Sequence, residues 1–525
     1  MFSYNPADMA RHKKTKRPAV AKKAPAPFEP SGPFAAAYLA VLSLLAVVCF
    51  FPLLTYFFAQ DDFTLMLTAW RDGWGAVAEY FHQKPGMFRP LTKAVYFGAM
   101  HGIFGLNALP YHIVSIAVHL ANTALVFALS GRLGLSRTAS LVAATLFALN
   151  VAFFHVIAWI SCIQQLLGLL FMLSALVWGI DFGNGRSPEG RWWSLGAYVL
   201  ALLSVEQTFG LPLILVVRAW LSPGAPGERT GLRRAVLLYA PHVAVLVVYT
   251  LFMAFWKTPP SAGSYAFSLG GNVAVNMMTY LGWSLQFGAS LPSWMQNEGV
   301  PWSISHLLVV ILLAYLLIFG RWRETVFGLI VFVLAVFPML FLSRHTFYLH
   351  TYIPSFGVLY LIAVVVDESR KARWFCKRTV QVAFLAVLLA AVSSLSFIMV
   401  RKNVEFRMFD DIEDMPRSFV LRRALIAKNA YDSLVAHEPF DEGVGQVYMV
   451  YAREDGKVDA KWNNDNVKAA TGWGSLPPLV YGNPRLQTVF KLTGDAVGAD
   501  VLADSDVYFY DDFGNCFAVE PSELE

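Results

Sequence analysis

"YFFAQDDFTLML" (56–67) ends an uncharged run that starts at Pro33 with two adjacent carboxylates, Asp61 and Asp62. The run, "PFAAAYLAVLSLLAVVCFFPLLTYFFA" (33–59), exceeds the ~20 apolar residues that a helix needs to cross a hydrocarbon core of ~30 Å. Ionised acids next to hydrocarbon are costly unless they meet water or a partner, so the pair marks a polar boundary at the far end of the first span. Comparable runs recur up to Val400. The 525 residues are 56% hydrophobic and only 15% charged, with mean hydropathy +0.50. A soluble domain of this length cannot bury that much apolar surface, which places the chain among polytopic α-helical membrane proteins.

The distribution of basic residues orients the spans. "RHKKTKRPAVAKK" (11–23), "GRLGLSR" (131–137), "RAWLSPGAPGERTGLRR" (218–234), "GRWRE" (320–324) and "DESRKARWFCKR" (367–378) all fall between apolar segments or before the first. Lysine and arginine mark cytoplasmic connections, so the first run is read as a cytoplasmic tail (1–32) and not as a nucleic-acid patch. The apolar stretch after it is too long for a cleaved signal peptide and lacks a small-residue cleavage site, so it is read as a retained helix. About eleven helices follow between 33 and 400, and every basic connection then lies on one side. The expected location is a bacterial inner membrane, with the N-terminus cytoplasmic. Two long loops, 60–110 and 257–302, face the other side. The second carries "GGNVAVNMMTYLGWSLQF" (270–287), read as an amphipathic helix along the interface.

Beyond Arg401 the composition changes to frequent Asp, Glu, Lys and Asn. "PRSFVLRRALIAKNAYDSLVAHE" (416–438) reads as a helix, and "GQVYMVYA", "QTVFKL" and "SDVYFYDD" read as strands. Residues 401–525 are therefore expected to form a small extracytoplasmic α/β domain. Cys49, Cys162, Cys376 and Cys516 fall in separate segments without metal-ligand spacing, which supports neither a disulfide framework nor a zinc site.

Polar residues that could carry chemistry collect on the outer side. Adjacent acids point in different directions, so Asp61 and Asp62 should have distinct roles: one a general base, the other positioning it or holding a cation. The alternative is a solvated pair past a helix end. Arg89 and Lys93 in "MFRPLTK" (87–93) share one face of a helix opening at Pro90, which suits a phosphate or a lipid headgroup anchor. Arg344, His345, Tyr348 and His350 in "SRHTFYLHTYIPSFG" (343–357) form a donor cluster that fits a phosphate clamp better than a metal, or a solvated loop. Glu206 needs a partner or a cavity where two short helices meet. His112 and His119 sit seven apart on one helix face, and His119 reads as a hydrogen-bonded core residue. No nucleotide-binding loop appears on the cytoplasmic side, so an activated sugar would reach the outer face only on a lipid phosphate.

These pieces, in order, resemble the GT-C superfamily of membrane glycosyltransferases, which use polyprenyl- or dolichyl-phosphate sugars. Within it they are most similar to the protein O-mannosyltransferase-like branch that in animals carries tetratricopeptide repeats. The resemblance rests on "QDDF", "FRPLTKAVYF", "GLNALPYHIVSIAVHLANTALVFAL", "LFALNVAFFHVIAWISCIQQLLGLLFMLSAL", "LLSVEQTFGLPLIL" and "YIPSFG", across residues 60–357. It implies that Asp61 or Asp62 is the catalytic base and that Arg89, His119 and Glu206 lie near the site, with His155 in a neighbouring piece. This chain departs from the pattern at Asn150, Val151 and His155, at Ile163 and Gln165, and at Val205, which replaces a frequent lysine.

The expected activity is transfer of a sugar from a polyprenyl-phosphate donor to an acceptor hydroxyl, the acceptor being a protein, a lipid or a glycan. Membrane lipids are expected partners and nucleic acid is not. No cofactor is required by the motifs, although a divalent cation is compatible with them. A transporter of lipid-linked sugars would instead place charges at the membrane midplane on broken helices. A non-catalytic assembly protein would use the soluble domain for binding and the membrane part as scaffold.

Overall fold

The computed structural model describes residues 32–82, 87–222, 231–256, 266–284, 304–342, 345–409, 412–438, 440, 444–451, 460–492 and 505–519. Arg344, the tail 1–31 and much of the second outer loop lie outside them.

The membrane part is a helical bundle. Pro33 occupies the first turn of the Pro33–Phe50 helix, where its missing N–H costs nothing. Pro52 then tightens the chain into a 3₁₀ turn, Phe51–Thr55. Among the described residues, five spans are long and apolar enough to cross a membrane individually: Pro33–Thr55, Ala108–Arg132, Ile160–Gly183, Trp322–Leu340 and Arg378–Val404. The number rises to seven if the bent pairs Arg137–Ala148 with Val151–Ala158 and Leu232–Leu238 with Ala240–Phe255 each count once. The remaining helices of the expected eleven are present but short, such as Gly190–Ser204, Leu211–Leu221 and Ser355–Ser369.

Small residues set the closest approach between helices. A Cβ on Gly357 would lie 2.4 Å from the Gly328 carbonyl oxygen, so the Trp322–Leu340 and Ser355–Ser369 helices touch backbone to backbone. That contact explains the glycine of "YIPSFG". The departures from the family pattern also have structural uses. Asn150 caps the next turn by accepting from the Ala152 amide at 3.0 Å, and Val205 fills the space beside Gly168.

The 60–110 loop is itself helical: Asp61–Asp72, Gly75–His82, a π-helical turn Leu91–Tyr96 and Phe97–Phe104. The Gly271–Ser284 helix forms as expected and packs one face on the bundle. It buries Asn276, Tyr280 and Trp283 against the bundle, with Tyr348 stacked on Trp283 at 4.2 Å. Aromatic side chains there had a packing surface available, and burial is worth more to them than a half-wet interface.

The C-terminal region contains the expected helix, Phe419–Val435, and a four-stranded sheet. Gln446–Tyr451 lies between Gln487–Leu492 and Ser505–Tyr510, parallel to both, and Cys516–Ala518 adds an antiparallel edge. A short hairpin, Phe406–Phe409 with Ile412–Pro416, joins it to the last long helix.

Candidate functional site

The turn after the first helix is a strained corner. Gln60 has φ 57° and ψ −119°, a region open to glycine but costly for any residue with a Cβ. Its amide donates to the Ala470 carbonyl at 3.0 Å, while its own side-chain nitrogen is buried without a hydrogen-bond partner. Gln60→Gly removes both penalties, on the order of 1–3 kcal/mol of backbone strain against about 0.5–1 kcal/mol of added chain entropy. It should therefore raise the midpoint of thermal unfolding of the purified protein; a lowered midpoint would show that the turn is not strained.

The corner sends the two acids in different directions. Successive residues of the Asp61–Asp72 helix are about 100° apart. Asp62 points inward, 1% exposed, and both its oxygens accept backbone amides: Oδ2 from Ala59 at 2.9 Å and Oδ1 from Ser161 at 2.7 Å. Trp159 Nε1 donates to the Ala59 carbonyl at 3.2 Å. Burial pushes the Asp62 carboxyl well up, and the two amides work against that shift. This carboxylate ties the acid turn to residues 159–161. Asp61 is exposed, and Lys93, Arg423 and Arg89 lie within electrostatic reach of it. Partial desolvation raises its carboxyl above the ordinary range, and the three cations act in the opposite sense.

The cations are not equivalent. Arg89, 4% exposed, donates from Nε to one Glu206 oxygen at 2.7 Å, from Nη2 to the other, and from Nη1 to Gln164 Oε1 at 2.7 Å. Burial alone would raise the Glu206 carboxyl, but the charge and hydrogen bonds of Arg89 hold it below its ordinary range. Arg89 is therefore largely neutralised in place. Lys93 stands on the π-helical turn, half-buried, where desolvation and Arg89 bring its ammonium down to about 8 against the pull of Asp61 and Glu206. Its charge is open to titration near physiological pH.

The other sequence-predicted residues divide. His345 lies within electrostatic reach of Arg89, and its ring centroid is 5.8 Å from that of His350. Burial lowers His345 to about 4 and His350 further, so both rings are neutral at pH 7. Tyr348 belongs to the stack on Trp283. His119 lies in the bundle core, its ring nitrogens within hydrogen-bond distance of the Tyr352 hydroxyl and the Ala148 carbonyl, both at 3.0 Å. His155 packs its ring on Phe419 of the C-terminal region, with centroids 5.3 Å apart. Among the described residues no three His, Cys, Asp or Glu side chains gather as a metal site.

The C-terminal region packs on the acid turn. Thr64 donates to the Gly472 carbonyl at 3.1 Å and lies 3.2 Å from Ser475 Oγ, and Tyr431 packs on Phe57 at 5.0 Å. A Cβ on Gly472, φ +68°, would meet the Gln60 carbonyl at 2.8 Å, so this close approach needs glycine. The docking brings Arg423 to face Asp61. Arg423, Ser161 and Gln164 were not foreseen from the sequence. Ser161 and Gln164 lie within or beside the "AWIS" segment, whereas nothing in the spacing links residue 423 to residue 61.

No family model matches the chain, and no curated protein matches it. Among solved structures it is similar to the arabinofuranosyltransferase AftD from Mycobacteria, at 16% identity and TM-score 0.42 over 81% of this chain. It is also similar to the Archaeoglobus fulgidus oligosaccharyltransferase tethered to an acceptor peptide, at 11% identity and TM-score 0.45 over 87% of this chain. The chain spans 30% of the length of the first and 64% of the second.

Proposed function

We propose that the protein is a GT-C-type membrane glycosyltransferase that moves a sugar from a polyprenyl-phosphate donor to an acceptor hydroxyl at the outer face, with Asp61 as general base. The reading is carried by the inequality of the two acids: Asp62 is bound to two amides, while Asp61 is exposed within electrostatic reach of three cations. Asp61 takes the proton of the acceptor hydroxyl as its oxygen attacks the anomeric carbon. The bond from that carbon to the phosphate oxygen breaks, and the configuration inverts. Charge gathers on the departing lipid phosphate, where Lys93 and Arg423 stabilise it. Arg89 and Glu206 fix each other in place beside these groups. His345 lies within electrostatic reach of Arg89, and Arg344 is assigned to the phosphate clamp from the sequence.

The test is a purified-protein assay with a synthetic polyprenyl-phosphate sugar, following release of free polyprenyl phosphate. Release that depends on Asp61 supports the reading. Movement of intact lipid-linked sugar across vesicles without release would replace it by a transporter.

The pH profile should be bell-shaped. Asp61 must be ionised, so the rising limb lies above the ordinary carboxylate range. Lys93 must be protonated, so activity falls as pH rises through about 8. Lys93→Arg keeps the charge at high pH and should move the falling limb upward while leaving the rising limb in place. An unchanged falling limb would remove Lys93 from the phosphate role.

A further inference from the structure

At the end of the first helix remote from the acids lies a polar cavity. It is a cleft of about 320 Å³ lined by Arg137, Arg370 and Arg378, by Thr138 and Gln381, and by apolar residues including Phe34 and Leu385. Three helices begin there, Pro33–Phe50, Arg137–Ala148 and Arg378–Val404, so three positive dipole ends add to the arginine charge. Gly32 lets the Arg137 guanidinium pack against the chain entry, since a Cβ there would meet Nη1 at 2.6 Å. Arg370 has a buried Nε without a hydrogen-bond partner, and its contact to Asp367 is long at 3.9 Å. Asp367 is otherwise held by the Ser136 amide at 3.0 Å and by Arg321. Arg378 is exposed and, among the described residues, has no ion-pair partner. Thr138 and Gln381 bond each other at 2.7 Å across the cleft and fix its wall.

From this convergence we infer that the cleft binds the phosphate of an anionic phospholipid, in the leaflet opposite the acid turn. The spacing supports that placement. Pro33–Thr55 is 23 residues long, about 34 Å as helix, or one hydrocarbon thickness from the acids. The ligand is a lipid and not a free anion because the apolar lining, Phe34, Val382 and Leu385, belongs to membrane-spanning helices that also expose apolar side chains, Val41 and Leu44 on one and Val387 on the other. Acyl chains can lie along those faces while the headgroup sits in the cleft. Basic pockets between helices near a charged leaflet suit such headgroups.

The test uses the full chain in uncharged detergent and follows thermal unfolding against added phosphatidylglycerol, phosphatidylcholine or inorganic phosphate. Phosphatidylglycerol should raise the midpoint in a saturable way, and the other two should not. Each arginine removed should weaken the response by roughly fivefold in half-saturating lipid, so R137Q/R370Q/R378Q should lose about 100-fold. R378E reverses the charge of the exposed arginine alone, and should weaken the response by roughly 25-fold in half-saturating lipid. A response to phosphatidylglycerol that R378E does not change would overturn the inference, as would an equal response to phosphatidylcholine. An equal shift with inorganic phosphate would make this a free-anion site.

Discussion

Asp61→Asn should lower sugar transfer by roughly 10²–10⁴-fold, the usual contribution of a positioned general base, with expression and thermal midpoint unchanged. Asparagine keeps the size and hydrogen-bonding reach of the side chain but cannot accept the proton. Asp61 holds no backbone amide in the way Asp62 does, so its neutralisation leaves the turn intact. Asp62→Ala should behave in the opposite manner. It strands the Ala59 and Ser161 amides in a buried place, at about 1–3 kcal/mol for each unsatisfied group, and the loss appears as lower stability and poor folding. The pair of measurements separates the roles. If Asp61→Asn transfers at the wild-type rate, the base lies elsewhere and the charge cluster is a scaffold.

Much of this was readable from the sequence because it depended on local chemistry. Uncharged stretches with basic connections indicated a helical bundle, and "QTVFKL" gave its strand, Gln487–Leu492, to the residue. Pairing of Arg89 with Glu206 was foreseeable in kind, since a glutamate where two short helices meet needs a cation. What the sequence could not show was which acid turns inward. That choice depends on the Gln60 conformation, which is imposed from 410 residues away by the carbonyl of Ala470 and from 101 residues away through the Ser161 amide on Asp62. Arg423 was hidden for the same reason: it reaches Asp61 by docking of one folded region on another, and a single sequence carries no periodicity for such a contact. The packing of the Gly271–Ser284 helix on the bundle was not legible because amphipathicity describes two faces but does not say whether lipid or protein covers the apolar one.

The second large effect concerns the Arg89–Glu206 pair. Side-chain exposures of 4% and 14% place it in low dielectric, where removing one partner leaves the other charge uncompensated. Glu206→Gln alone should destabilise the protein by about 3–5 kcal/mol, read as a lower thermal midpoint. Arg89→Gln with Glu206→Gln should recover a large part of that loss, because two neutral amides can bond each other and leave no charge buried. A double variant as unstable as the sum of the singles would mean that the two side chains do not act as a pair. The same substitution has an electrostatic signature that simple loosening of the fold would not produce. Glu206 pulls the Lys93 ammonium upward and Arg89 pushes it down. Without Glu206 only Asp61 opposes the push, so the falling limb of the pH profile should move below about 8. Arg89, no longer neutralised, should also favour ionised Asp61 more strongly and move the rising limb to lower pH. Both limbs shifting in the same direction is what a change of charge in a shared cluster requires, and an unmoved profile in a folded variant would place Glu206 outside it.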